Sequence, residues 1–344
     1  MSGSNVTKDG VEGAQPDRDA MVGVVAGDAE QRARVANAGR TDQGARAGRG
    51  SRERGGRGGR GERAMVPDAS FSSYYGRPVI KKPSWQEPDI AGYLYLGGLA
   101  GASSAIALGA QLTRRPTLER VTKIGALAAI SAGLAGLVHD LGRPARFVNM
   151  LRVFKPTSPM NMGSWLLSAY GPAAGVSALT AASGRFPRVG GVATAGAAAL
   201  GPLVASYTAA LICDTAVPSW HDGFREMPFV FVGSAATAAG GLGMVGAPVH
   251  EAGPARRAAL FGGALEVGAA RMMEKRMGDL IGTPYREGAS GQKMRAAEML
   301  TAAGALCGAT LGRRSRLAAV VSGAALLTSS ALTRFAIFEA GVAS

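Results

Sequence analysis

Residues 90–112 read IAGYLYLGGLAGASSAIALGAQL, 23 residues without one formal charge. A helix of that length is about 34 Å long, enough to cross a hydrocarbon core of about 30 Å. The stretch lacks the alternation of a half-buried strand. Glycines 97 and 101 and their small neighbours follow the small-xxx-small spacing that lets membrane helices pack closely without a hydrophobic drive between them. One such run predicts a span, and the rest of the chain repeats it.

Working outward, apolar runs predict helices over Ile90–Leu112, Val121–Val138, Gly163–Ala182, Val189–Ile212, Met227–Val249, Ala258–Met273, Ala296–Leu311 and Leu317–Arg334. The predicted fold class is therefore all-α, a polytopic membrane bundle of about eight transmembrane helices over residues 71–344. Helices six and seven are the shortest and carry Glu266, Arg271 and Glu298. Pro172 and Pro202 fall within spans and are expected to kink them, which neighbouring helices tolerate. Residues 1–70 form a different region, expected to be a disordered tail: ARAGRGSRERGGRGGRGER at 45–63 has no material for a core. No apolar signal segment follows its charges. A start at Met65 would remove most of it.

Composition averages these two regions. Of 344 residues, 47% are hydrophobic and 18% charged, and the mean hydropathy is only +0.11. The net charge of +14 suggests nucleic acid at first sight. Residues 1–64, however, hold 12 Lys/Arg against 9 Asp/Glu, and the remaining excess sits in short segments between apolar runs. Membrane topology explains that distribution better, so a lipid membrane rather than nucleic acid is the expected partner. The two cysteines, Cys213 and Cys307, form no CxxC or Cys/His cluster. Neither metal nor haem is expected in this chain.

Eight spans put both termini on one side. Loops 139–162, 213–226 and 274–295 share that side and total about 60 residues, whereas loops 113–120, 183–188, 250–257 and 312–316 total about 27. Each side carries ten Lys/Arg. Their higher density on the short-loop side favours that side as cytoplasmic. Long loops on one face suit a face that docks a partner.

The candidate chemistry gathers there. His139 and Asp140 end the second helix, followed by Arg143, Arg146, Arg152 and Lys155. A His–Asp pair at a membrane boundary can relay protons, since imidazole titrates near neutrality and a carboxylate orients it; a helix stop and interface anchor is the plainer reading. Asp214, Trp220, His221 and Glu226 form a second cluster on the same face, where Trp and Glu also have interfacial and helix-capping explanations. Glu266 lies well inside a span, with Arg271 or Arg334 as partner, and serves either a proton route or a structural ion pair. Tyr93, Tyr95 and Ser103 on the first helix offer hydroxyls for a carbonyl ligand, and the two tyrosines equally suit the interfacial aromatic belt.

Several segments together resemble the NrfD/PsrC family, the membrane subunits of polysulfide-reductase-type molybdoenzymes. They are SYYGRPVIKKP at 73–83, YLYLGGLAG at 93–101, HDLGRPARFVNMLRVFKPTSPMNMGSWLLSAYGP at 139–172, DTAVPSWHDGFREMPFVFVGSAA at 214–236 and TRFAIFEAG at 333–341. The resemblance covers about residues 71–343. It implies an eight-helix subunit of the plasma or inner membrane that binds menaquinone or ubiquinone. Its partners would be a four-cluster iron–sulfur protein and, through it, a molybdopterin catalytic subunit. On that reading Tyr93, Tyr95, His139, Asp140, Arg143, Asp214 and His221 line a quinone site, and His139, Asp140 and Glu266 are the candidate proton relay. Arg146, Lys155, Trp220 and Glu226 dock the partner. The competing classes are a proton- or ion-translocating module, suggested by Glu266 and the mid-span prolines, and a passive anchor.

Overall fold

The computed structural model describes residues 5–7, 10–12, 85, 87–141 and 145–344. The chain divides into two units, residues 1–81 and 82–344. In the first, Asn5–Thr7 (β1) and Gly10–Glu12 (β2) pair antiparallel with Val6 opposite Val11. This hairpin stands in the region expected to be disordered. The rest of that region, the Met65 start and the segment 73–83 lie outside the described residues.

The second unit is built from helices α1 (Glu87–Leu112), α2 (Pro116–Asp140), α3 (Ala145–Met150), α4 (Pro159–Ser183), α5 (Pro187–Cys213), α6 (Pro218–His221), α7 (Met227–Gly246), α8 (Gly253–Arg286), α9 (Gly288–Ala309) and α10 (Arg316–Ala343). The eight long ones correspond one for one to the eight predicted spans. Proline punctuates their starts: α2, α4 and α5 begin on Pro116, Pro159 and Pro187, where the missing N–H has no helical partner to lose. Within the helices, Pro172 and Pro202 are accommodated without ending α4 or α5.

Antiparallel neighbours pack lengthwise, α1 on α2, α4 on α5, α7 on α8 and α9 on α10, and α1 also meets α5, α7 and α10. Two crossings depend on glycine. A Cβ on Gly101 or Gly201 would lie 2.3 Å from the other's carbonyl oxygen, so α1 and α5 touch backbone to backbone. Gly241 and Gly323 do the same for α7 and α10 at 2.6 Å. Val176, Leu179, Val192, Leu203, Phe261 and Leu306 remain exposed on the outer faces, an arrangement that lipid, not water, favours. Among the described residues, five helices are long and apolar enough to cross a membrane: α1, α2, α5, α7 and α10. α4, α8 and α9 run beside them.

The long-loop side is more helical than expected. Segment 139–162 contains α3, and 213–226 contains α6 and a 3-10 turn at Asp222–Arg225. Segment 274–295, expected to be a loop, is helix on both sides of Glu287. α8 runs on to Arg286 with a break at Gly278, whose φ of 70° only glycine adopts readily. The charges after Met273 end the apolar run but not the helix, which continues past the apolar layer.

At the other end, arginines satisfy helix-terminal carbonyls. Arg316 Nη1 donates to Met244 O at 2.7 Å and Ala247 O at 2.5 Å, closing α7. Glu251 caps α2 from a different loop, accepting from the N–H groups of Thr117 (2.8 Å) and Leu118 (3.0 Å). Burial pushes its carboxyl up, but these N–H groups and the Thr117 hydroxyl outweigh that and hold it below the usual carboxylate range. Some Lys/Arg excess on this face is therefore structural.

Candidate functional site

The first cluster forms where α1 begins and α2 ends. His139 Nδ1 lies 2.6 Å from Asp89 Oδ2, with the imidazole 72% exposed and the carboxylate 19%. With Nδ1–H donating to Asp89, Nε2 is left to accept a proton from outside. The sequence reading paired His139 with Asp140. The orienting carboxylate belongs instead to Asp89, because side chains at i and i+1 on a helix do not face each other. Asp140 is half-buried. Arg143 lies outside the described residues.

One turn below Asp89 on α1, Tyr93 is 1% exposed and its hydroxyl has no partner among the described residues. Tyr95 is half-buried. Ser103 is fully buried with its hydroxyl likewise unpartnered. Arg146, Arg152 and Lys155 are exposed, as a docking role requires, and Arg146 Nη1 also donates to Leu141 O at 2.9 Å. Asn161 folds this segment back, its Nδ2 donating to Met150 O and Val153 O while Oδ1 accepts from Lys155 N.

The second cluster divides. Asp214 and His221 are exposed, and His221 Nδ1 stands 3.3 Å from Cys213 O at the end of α5. Neither is joined to His139 or Asp89 by a hydrogen bond or ion pair. Trp220 and Glu226, expected on the docking surface, turn inward. Trp220 has no exposed area; its Nε1–H donates to Ile337 O at 2.8 Å, and its ring packs against Trp85 and Phe338. Glu226 is buried against Arg276 in α8, with hydrogen bonds of 2.8 and 2.7 Å. The Arg276 guanidinium bonded to it holds its carboxyl below the usual carboxylate range. Both side chains brace the face rather than meet a partner, because the short α6 segment tucks under the end of α10.

A cleft of about 390 Å³ opens between α2, α3 and α4. Ile130, Leu134, Phe147 and Leu167 supply apolar walls, and Ser131, Ser168 and Pro172 lie among them. Proline at 172 has no N–H to give the carbonyl four residues back, so Ser168 O has no helical donor there. The cleft thus offers two hydroxyls and one carbonyl in an apolar setting, within the size range of small-molecule sites. Among the described residues, none of those predicted to bind quinone lines it. Serines in an apolar helix read as ordinary packing residues, and only the fold shows that these meet across a gap; the mid-helix proline was the available signal.

Inside the bundle, Glu266 of α8 accepts from the Thr333 hydroxyl of α10 at 2.7 Å. Arg334, fully buried, donates to Phe231 O at 2.7 Å and lies 3.7 Å over the Phe231 ring. No direct ion pair joins Glu266 to Arg334 among the described residues. Arg271 pairs with Glu298 at 3.3 Å instead, since its side chain leaves α8 on the outer side. Unforeseen from sequence is a further group at the long-loop end, where Lys293 bridges Glu339 and Glu87. Among the described residues, no three His, Cys, Asp or Glu side chains gather as a metal site would require.

No curated protein matches the chain. Residues 81–248 match the family described as Polysulphide reductase, NrfD, a stretch that runs from before α1 to just past α7 and holds both the His139–Asp89 pair and the cleft. By that match, residues 81–248 carry a domain of the NrfD polysulphide reductase family.

Proposed function

We propose that this chain is the quinone-reactive membrane subunit of a molybdopterin oxidoreductase complex in the plasma or inner membrane. It would exchange electrons between menaquinone or ubiquinone and a four-cluster iron–sulfur partner. The family match carries the reading, because it covers the helices that form the cleft. The cleft supports it further: its apolar walls suit a prenylated ring, the Ser131 and Ser168 hydroxyls can donate to the ring's oxygens, and the Ser168 carbonyl can accept from a quinol hydroxyl. A bound quinol supplies two electrons and two protons. His139, oriented by Asp89, can take a proton at Nε2 and release it to water at the exposed face. Exposed Arg146, Arg152 and Lys155 on the same side provide positive charge for docking an acidic partner surface.

The test is quinol-dependent reduction of the iron–sulfur partner in the purified complex. Ser168→Leu, which fills the cleft, should raise the KM for quinol. His139→Ala and Asp89→Asn should slow turnover alike while the complex still assembles. Assembly with full quinol activity in all three variants would leave a passive anchor as the better reading. Proton movement across liposomes by the chain without partners would favour a translocating module.

A further inference from the structure

Glu266 is 3% exposed, and while Thr333 satisfies Oε1, Oε2 has no hydrogen-bond partner among the described residues. Facing it from α9, Thr301 is 1% exposed and its hydroxyl is also unpartnered. Both residues line one small cavity, which Glu298 closes on its outer side. Its volume is about 10 Å³. That is near the lower bound for one water centre, and an internal water also needs two to four polar partners. Glu266 Oε2, Thr301 Oγ1 and Glu298 supply them. Two polar atoms left unpaired this deep in the bundle would each carry a desolvation penalty, which a single bridging water removes.

The carboxylates do not stop at the cavity. Glu298 is 23% exposed and paired with Arg271. Glu274, about one turn further along α8, is within electrostatic reach of both Glu298 and Arg271. Arg286 then links Glu274, at 4.0 Å, to the fully exposed Asp279, at 2.8 Å. Acidic groups therefore step from the bundle interior to the long-loop end of α8.

We propose that this cavity holds one water that passes protons between Glu266 and Glu298, with Glu274 the next acidic group toward the long-loop face. Only O–H bonds form and break, one oxygen handing its proton to the next, so no oxidant or co-reactant is needed. The inference rests on the reading of Glu266 as a proton-carrying group of a quinone-reactive subunit. It adds Thr301 as the positioning residue and the outer side of α8 and α9 as the route.

The test uses the full chain in lipid nanodiscs. Infrared difference spectra follow hydrogen–deuterium exchange of the carboxyl band that Glu266→Gln abolishes. Thr301→Leu, which fills the cavity, should slow that exchange about tenfold or more, the barrier change of roughly one lost hydrogen bond. Glu298→Gln should slow it similarly, and Thr301→Ser, which keeps the hydroxyl, should leave it unchanged. Unaltered exchange in Thr301→Leu, or no band tied to Glu266, overturns the proposal. If Thr301→Leu does not assemble, Thr301→Val keeps the shape, loses the hydroxyl and carries the same test. None of these readouts involves quinone. Unaltered exchange with normal quinol activity defeats the proton track alone; slowed exchange with no quinol activity defeats the redox reading alone.

Discussion

Replacing Trp220 by alanine separates a structural role from a docking role. The indole has no exposed surface, donates to Ile337 O at 2.8 Å, and lies 5.8 Å from the Trp85 ring and 5.6 Å from Phe338. It also rests on Gly341, where an added Cβ would come within 1.9 Å of the ring. Truncating a buried aromatic to alanine costs about 3–5 kcal/mol, with the larger values where neighbours cannot collapse into the space. Gly341 has no side chain to move inward, and Phe338 and Ile337 are fixed in α10, so the loss should fall in the upper half of that range. Trp220→Phe keeps most of the ring and loses the N–H donor, for about 1–2 kcal/mol. Denaturant unfolding in mild detergent, followed by far-ultraviolet circular dichroism, measures both. Phe224→Ala, on the same face but 52% exposed, is the control and should change stability by no more than about 0.5 kcal/mol. If Trp220→Ala matched the native chain in stability but lost its partner, the docking role read from the sequence would be right and the bracing role wrong.

Two further perturbations test the packing. Glu226→Gln should destabilise by about 1–3 kcal/mol at neutral pH, because it leaves Arg276 without its anion. The folded carboxyl lies below its ordinary 4.5, so the unfolded chain binds the proton more readily. The pair's contribution is thus complete above about 4.5 and is lost as pH falls through the folded value. Native and variant stabilities measured against pH should converge in acid and stay apart at neutrality. Gly101→Leu should force α1 from α5 and lower the thermal midpoint, with an overpacking cost of about 1–3 kcal/mol or more. Gly109→Leu, with open space at that position, should leave the midpoint nearly unchanged.

How much of this was legible beforehand follows from which interactions are local. The helices were, because apolar runs of about twenty residues and prolines at their starts act within one segment. The carboxylate that meets His139 was not. Asp89 is fifty residues away in sequence and reaches it only because α1 and α2 pack antiparallel. Likewise, Glu251 caps a helix in another part of the chain, and Ser131 and Ser168 become a pair only across a cleft. Trp220 shows the opposite error. A tryptophan between short helices near a membrane surface has the composition of an interfacial anchor, and nothing in its neighbours in sequence tells that α10 will end on top of it. Glu266 stood out as an acid inside a span, but its partners, Thr333 and the Thr301 cavity, come from two other helices.

The crossing of α8 and α9 is the least obvious part of the topology, since both are more polar than the five helices with a clear spanning signature. Packing argues that they cross. Gly240 at one end of α7 meets Ala255 and Ala259, and Gly233 nearer the other end meets Glu266, so α8 follows α7 along its length. Gly304 and Gly308 meet Ser322 of α10, while Lys293 pairs with Glu339 near the opposite end, so α9 follows α10. A helix that accompanies a membrane-length apolar neighbour from end to end is expected to cross with it. Glu287, between α8 and α9, should therefore share a side with His221 and face away from His250. In a Cys213→Ala, Cys307→Ala background, single cysteines at these three positions can be labelled with an impermeant thiol reagent in sealed vesicles. Labelling of Glu287→Cys together with His221→Cys supports eight crossings. If Glu287→Cys is labelled together with His250→Cys instead, the α8–α9 hairpin lies on one side, six helices cross, and the termini still share a side. Parity alone cannot distinguish six from eight, whereas this single position can.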